Sequence, residues 1–252
     1  MDKRVGYLLL LLTSFTIFPS TCFPQFIMLG IKAGAGLSSG DYYMNGKLVP
    51  SPGTSGILTN FNGGITLNLK IKERWIFHSE ILFEDKGVRR VNHSYILIGN
   101  NVNGDTIPRT QIIRNHMFYL HFPQTIRYLI PLDQKGRNSL YVEAGLYFAC
   151  YLITKNVCIT SYPYSTTRDI DFYDMTAGKW AEGNNLQRLD WGMTVGCGYL
   201  LKLWKGQLDF NLKFDHMLQP IARDQFLGSK AYQYVFAITI GYAFPVLQKA
   251  YK

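Results

Sequence analysis

The segment Gly36-Leu37-Ser38-Ser39-Gly40 matches G-x-S-x-G, the pattern around a hydrolase nucleophile. That serine works only at a strained strand-to-helix turn, whereas these residues leave an alternating strand for a Gly-rich loop. The match is a coincidence of composition. Five histidines (His78, His93, His116, His121, His216) contain no H-E-x-x-H and no pair at ligand spacing. Cys150, Cys158 and Cys197 are odd in number and lack C-x-x-C, so they suggest neither a disulfide framework nor a zinc site. The sequence is therefore expected to carry no catalytic residue, no cofactor and no metal. What remains is a set of charges on one face of alternating segments: Lys32, Glu80, Arg127, Glu143, Asp209 and Lys213. His78 and His121 fall on the same face. Arg127 and Glu143 are equally far from a turn near residue 135, so antiparallel neighbours would bring them together.

The elements that must hold these charges follow from composition and period. Of 252 residues, 47% are hydrophobic, 15% aromatic and only 17% charged, against roughly 25% charged in soluble domains. Mean hydropathy is −0.02, and beyond the first thirty residues no run of about 18 apolar residues could form a spanning helix. Period 2 dominates instead. In 207–214, Leu208, Phe210, Leu212 and Phe214 oppose Gln207, Asp209, Asn211 and Lys213. In 140–152, Leu140, Val142, Leu146 and Phe148 oppose Tyr141, Glu143, Gly145 and Tyr147. Similar alternation over 26–37, 57–70, 74–86, 116–130, 187–203 and 233–244 completes eight antiparallel strands.

A soluble barrel would hide the apolar face, and a membrane barrel would show it to lipid. Three features favour lipid. The less apolar face is rich in glycine (Gly30, Gly34, Gly36; Gly192, Gly196, Gly198), as a cramped lumen requires. Connections alternate between long polar loops at 38–56, 87–115, 154–186 and 219–230 and short turns near 70–74, 131–137 and 203–206. Trp75, Tyr128, Tyr199, Trp204, Tyr232 and Tyr242 sit near strand ends, where interfacial girdles belong. The reading is an all-β, eight-stranded, up-and-down transmembrane barrel. A lumen of this size is filled by side chains, and a diffusion porin needs about 16 strands.

The N-terminus has the layout of a secretory signal peptide: Met1-Asp2-Lys3-Arg4, then an apolar Leu8–Phe18, then a polar stretch. Residues 1–24 are assigned to that signal and 25–252 to the barrel. The short turns and the C-terminal tail carry nine cations against Glu73 and Asp133. Such charge suits anionic headgroups at a membrane surface. An exported barrel does not meet chromosomal DNA, so no nucleic-acid partner is expected despite a pI near 9.3.

Four segments carry a resemblance: Gly30-Ile31-Lys32-Ala33-Gly34, Phe118-Tyr119-Leu120-His121-Phe122-Pro123, Tyr141-Val142-Glu143-Ala144-Gly145 and Gly196-Cys197-Gly198-Tyr199. With them the chain resembles the small PorT-like outer-membrane β-barrels. Gly241-Tyr242-Ala243-Phe244 is similar to the aromatic C-terminal signal read by the outer-membrane insertion machinery, with Phe244 as its key residue and eight residues following. The resemblance implies the outer membrane of a Gram-negative bacterium, contact with lipid and lipopolysaccharide, and a role undefined within the family.

The expected function is structural or recognition work through extracellular loops. The longest, 154–186, interleaves Tyr162, Tyr164, Phe172, Tyr173 and Trp180 with small polar residues, a mixture suited to binding a protein or glycan. Arg89, Arg90, Arg109 and Arg114 suit lipopolysaccharide phosphates. The alternatives are a membrane-embedded enzyme acting on lipid or peptide and an accessory component of a secretion apparatus.

Overall fold

The structure, a computed structural model, describes residues 26–44, 47–48, 54–98, 105–134, 136–173, 184–186, 189–220, 222–224 and 229–248. The signal segment assigned to 1–24 and the loop residue Trp180 lie outside them. Eight long strands form one antiparallel ring. They are β1 (Phe26–Met44), β2 (Leu58–Lys72), β3 (Trp75–Ile98), β4 (Asp105–Pro131), β5 (Asn138–Tyr162), β6 (Leu189–Leu203), β7 (Gly206–Met217) and β8 (Ser229–Gln248). Each pairs with its neighbour in sequence. β8 returns to β1 along the full length of both, from Phe26 opposite Gln248 to Met44 opposite Ser229. The chain is thus an eight-stranded up-and-down barrel, and closure removes the edges that an open sheet would expose.

The period-2 pattern sorts the two faces. Ile31, Phe61, Ile65, Phe83, Leu146, Phe148, Val195, Phe210, Ile238 and Ile240 are exposed on the outside. Residues alternating with them on the other face, including Lys32, Glu80, Glu143, Asp209 and Thr239, are buried. In water this would be an inside-out protein; in lipid it is the stable arrangement. Phe61, Phe83 and Phe118 form an outer aromatic patch with ring centroids 5.5–6.4 Å apart. Trp75 and Tyr128 pack at 5.0 Å at the end marked by the short turns.

Those turns are tight. Glu73-Arg74 joins β2 to β3, and Trp204-Lys205 joins β6 to β7. In the β4–β5 turn the Asp133 carboxylate accepts from the N–H groups of Arg137 (2.7 Å) and Asn138 (3.2 Å). Gly136 there takes φ 57°, where a side chain would strain the backbone. Tight turns at one end and long excursions at the other place the turns in the periplasm and the excursions outside.

The excursions differ from the loops expected at 87–115 and 154–186. β3 and β4 remain paired to Ile98 opposite Asp105. β5 remains paired with β4 to Ser161, turns at 163–164, and returns as a strand over Ser165–Tyr173. Thr54–Gly56 adds to β3 on the other side. Alternation fades there because both faces meet water, while backbone hydrogen bonds continue the ladder. The result is a five-stranded blade, in the order Thr54–Gly56, β3, β4, β5, Ser165–Tyr173. Residues 88–98 alone carry β3 about 36 Å further at ~3.3 Å per residue.

Candidate functional site

The lumen is filled in layers. At the periplasmic mouth, a cavity of about 570 Å³ is lined in part by Lys70, Arg74, Lys202 and Lys205. Above it the six charges read from the alternation all face inward and are all buried. Arg127 and Glu143 stand opposite each other across β4 and β5. Arg127 donates from Nε to Glu143 Oε2 (2.7 Å) and from Nη1 to Asp209 Oδ2 (2.9 Å), with its guanidinium 4.4 Å from the Tyr141 ring centroid. Tyr141 donates to Asp209 at 2.7 Å, and Asn211 bridges Tyr141 and Glu143 at 2.7 and 2.8 Å. Glu80 receives Lys32 at 2.6 Å and also Lys213. His78 lies between Glu80 and Asn68, 2.6 Å from each. Six strands, β1 to β5 and β7, contribute. Buried ions are stable only when mutually paired, and here three cations meet three carboxylates.

A second group lies one layer outward. Glu84 and Lys86 on β3, His121 on β4, Asp190 on β6 and Asp215 on β7 are all buried. Lys86 Nζ is 3.3 Å from Glu84 Oε2 and 4.5 Å from the Tyr147 ring centroid. His121 packs its ring on Tyr147 with centroids 4.6 Å apart. One ligand atom from each of Glu84, His121 and Asp215 lies within 4.8 Å of the other two. The expectation of no metal rested on linear spacing, which does not register side chains brought together from three different strands. The luminal placing of His121 did follow from alternation. Glu84 and Lys86 continue the even-numbered face of His78 and Glu80 within 74–86, and Asp190 precedes Gly192 on the same face within 187–203, so the alternation already held them; Asp215 lies one residue beyond 207–214, on the face of Lys213. Above this group, Met117, Tyr119, Tyr151 and Met217 cap the lumen with apolar packing.

The remaining sequence candidates are placed as follows. Ser38 of the G-x-S-x-G match is fully buried, donating to the Gly87 carbonyl (2.8 Å) and accepting from its N–H (3.0 Å). A serine so engaged is a strand clamp. Phe244 is half exposed on the outer face of β8. In the blade, Tyr164 is 94% exposed and Phe172 60%, with Lys155 Nζ 5.6 Å from the Phe172 centroid; Tyr162 is half-buried. Tyr173 ends the returning strand, and its side chain lies outside the described residues. Cys150, Cys158 and Cys197 are free thiols.

Solved structures similar to this chain include outer membrane protein OprG from Pseudomonas aeruginosa (14% identity, 88% of this chain and 97% of that one, TM-score 0.43). They also include Ail, the attachment invasion locus protein of Yersinia pestis (11%, 85% and 98%, TM-score 0.28). A third is the outer membrane protease OmpT from Escherichia coli (11%, 88% and 97%, TM-score 0.36). No curated protein sequence matches the chain. Residues 23–223 match the family described as outer membrane protein beta-barrel domain, which covers most of the barrel. With lipid-type side chains outside, ion pairs inside and this family match, the chain belongs to the outer membrane protein beta-barrel domain family and resides in the outer membrane of a Gram-negative bacterium.

Proposed function

We propose that the protein is a closed barrel that presents a rigid extracellular blade for recognition of a protein or glycan. The observation that carries this reading is the continuous pairing of β3, β4, β5 and Ser165–Tyr173 beyond the barrel. An ordered sheet with exposed Tyr95, Tyr164 and Phe172 offers aromatic anchors at low entropic cost. Ser165–Tyr173 is paired on one side by β5 among the described residues, so its other edge can accept a strand or a polar ligand. Ion pairs fill the lumen at mid-height, which argues against diffusion. An enzyme acting on lipid or peptide would need reactive groups gathered open at the rim, whereas the one cluster of histidine and carboxylates among the described residues, Glu84, His121 and Asp215, is buried.

Further parts of the reading concern partners. Arg89 and Arg114 oppose each other directly across β3 and β4, an arrangement of like charges that is unfavourable unless an anion lies between them. Lipopolysaccharide phosphate is the anion we assign there. Phe244, on the closing strand, is assigned to recognition by the insertion machinery. The narrower PorT-like kinship, and the accessory role in secretion it would permit, rests on the sequence motifs. The test of the recognition reading is binding of cells displaying the protein to protein and glycan arrays, with and without 160–182. Equal binding by both forms would refute it.

A further inference from the structure

The lower ion network is balanced, but the layer above it is not. Glu84, Asp190 and Asp215 are buried there with Lys86 as their own permanent cation. Lys213, the other cation within electrostatic reach of Asp215, is held by Glu80. Lys86 alone does not pair three carboxylates, and buried charges are tolerated only when paired.

A second observation is independent of charge. His121 has no exposed surface, yet its Nε2 makes no hydrogen bond. Nδ1 lies 3.0 Å from Glu84 Oε2, an ion-pair contact, and Nε2 lies 3.8 Å from Asp215 Oδ2. A buried imidazole in contact with one carboxylate, with its second nitrogen unpartnered and facing another, is arranged as a ligand is. An ion with bonds of about 2.1 Å holds its ligands up to about 4.2 Å apart. Glu84, His121 and Asp215 already lie within 4.8 Å of one another, so small side-chain rotations would close them on one centre.

We propose that Glu84, His121 and Asp215 bind one divalent first-row metal ion, Zn²⁺ or Mn²⁺, in the outer part of the lumen, with Asp190 as a neighbouring counter-charge. Its two positive charges pair the carboxylates that Lys86 leaves over, and ligation uses an imidazole nitrogen of His121 as donor. One imidazole with carboxylates suits such an ion, whereas Ca²⁺ asks for six to eight oxygens. The ion would tie β3, β4 and β7 together beneath the blade. This site is independent of what the blade binds.

The test uses the full mature chain, stripped with EDTA in denaturant and refolded in detergent with Zn²⁺, Mn²⁺ or Ca²⁺, so that access to the lumen is not a variable. After desalting, bound metal is counted by mass spectrometry, and heat-modifiable gel mobility reports folding. The expected result is one Zn²⁺ or Mn²⁺ per folded chain and no Ca²⁺. Occupancy should fall at least tenfold in H121A, E84Q and D215N, whereas H116A, whose imidazole pairs with Asp85 instead, keeps its ion. Refolding the unaltered chain with Co²⁺ needs no variant to fold and should give the visible bands of a nitrogen–oxygen site. A folded barrel that holds neither Zn²⁺ nor Mn²⁺, prefers Ca²⁺, shows no Co²⁺ bands, or keeps its metal in folded E84Q and D215N overturns the proposal.

Discussion

Gly198 on β6 lies directly across from Tyr141 on β5, and a Cβ on that glycine would fall 2.4 Å from the tyrosine hydroxyl oxygen. The same relation holds one step outward, where Gly196 faces Glu143 and a Cβ would sit 2.9 Å from its carboxylate. The side chains missing from β6 are the space into which β5 places its network residues. Gly198→Val should therefore cut the yield of folded, heat-modifiable barrel severalfold. Cys197→Val, one residue away on the lipid face, should leave it unchanged. Equal yields for the two would contradict this account of the lumen.

The Arg127 side chain holds two carboxylates, so removing it strands both. Arg127→Met should destabilise the barrel by about 3–5 kcal/mol, the usual cost of leaving buried charge unpaired. Adding Glu143→Gln and Asp209→Asn should recover part of that loss. Urea midpoints of unfolding for the single and triple variants check both statements.

How the sequence encodes this fold is clear from where its reading succeeded. Inside the membrane band each residue must choose lipid or lumen, so period 2 is enforced and the inward placing of Lys32, Glu80, Arg127, Glu143, Asp209 and Lys213 is legible in the sequence. Above the band that choice disappears. Residues such as Arg89, Asn92 and Thr110 tolerate either face in water, and the pattern reads as loop although the ladder continues. The Glu84–His121–Asp215 group was hidden for another reason: its members are 37 and 94 residues apart in the chain, and only strand register brings them together.

Cys150 and Cys158 show the consequence of the longer strand. The loop expected over 154–186 set no distance between them, but both lie on β5, eight residues apart. At ~3.3 Å per residue their separation is about 26 Å, far beyond the ~7 Å that a disulfide spans. All three cysteines of the described chain should alkylate in denaturant without reductant. A 150–158 crosslink in the unreduced mass spectrum would contradict the continuity of β5.

Removing 160–182 deletes the returning strand Ser165–Tyr173 and the tip of β5 while sparing the lipid-facing part of the barrel. Insertion and heat-modifiable mobility should persist. Surface binding should be lost, as flow cytometry with array-identified ligands would show. Failure to insert would mean that the blade takes part in assembly.

The central claim is that apolar side chains face lipid and polar ones fill a closed lumen. A nitroxide scan of single cysteines at 236–240 on β8, in a background with native cysteines replaced by serine, tests it most directly. Collision rates with oxygen should be high at Phe236, Ile238 and Ile240 and low at Ala237 and Thr239, with period 2. Uniform accessibility, or the opposite phase, would contradict the barrel as described.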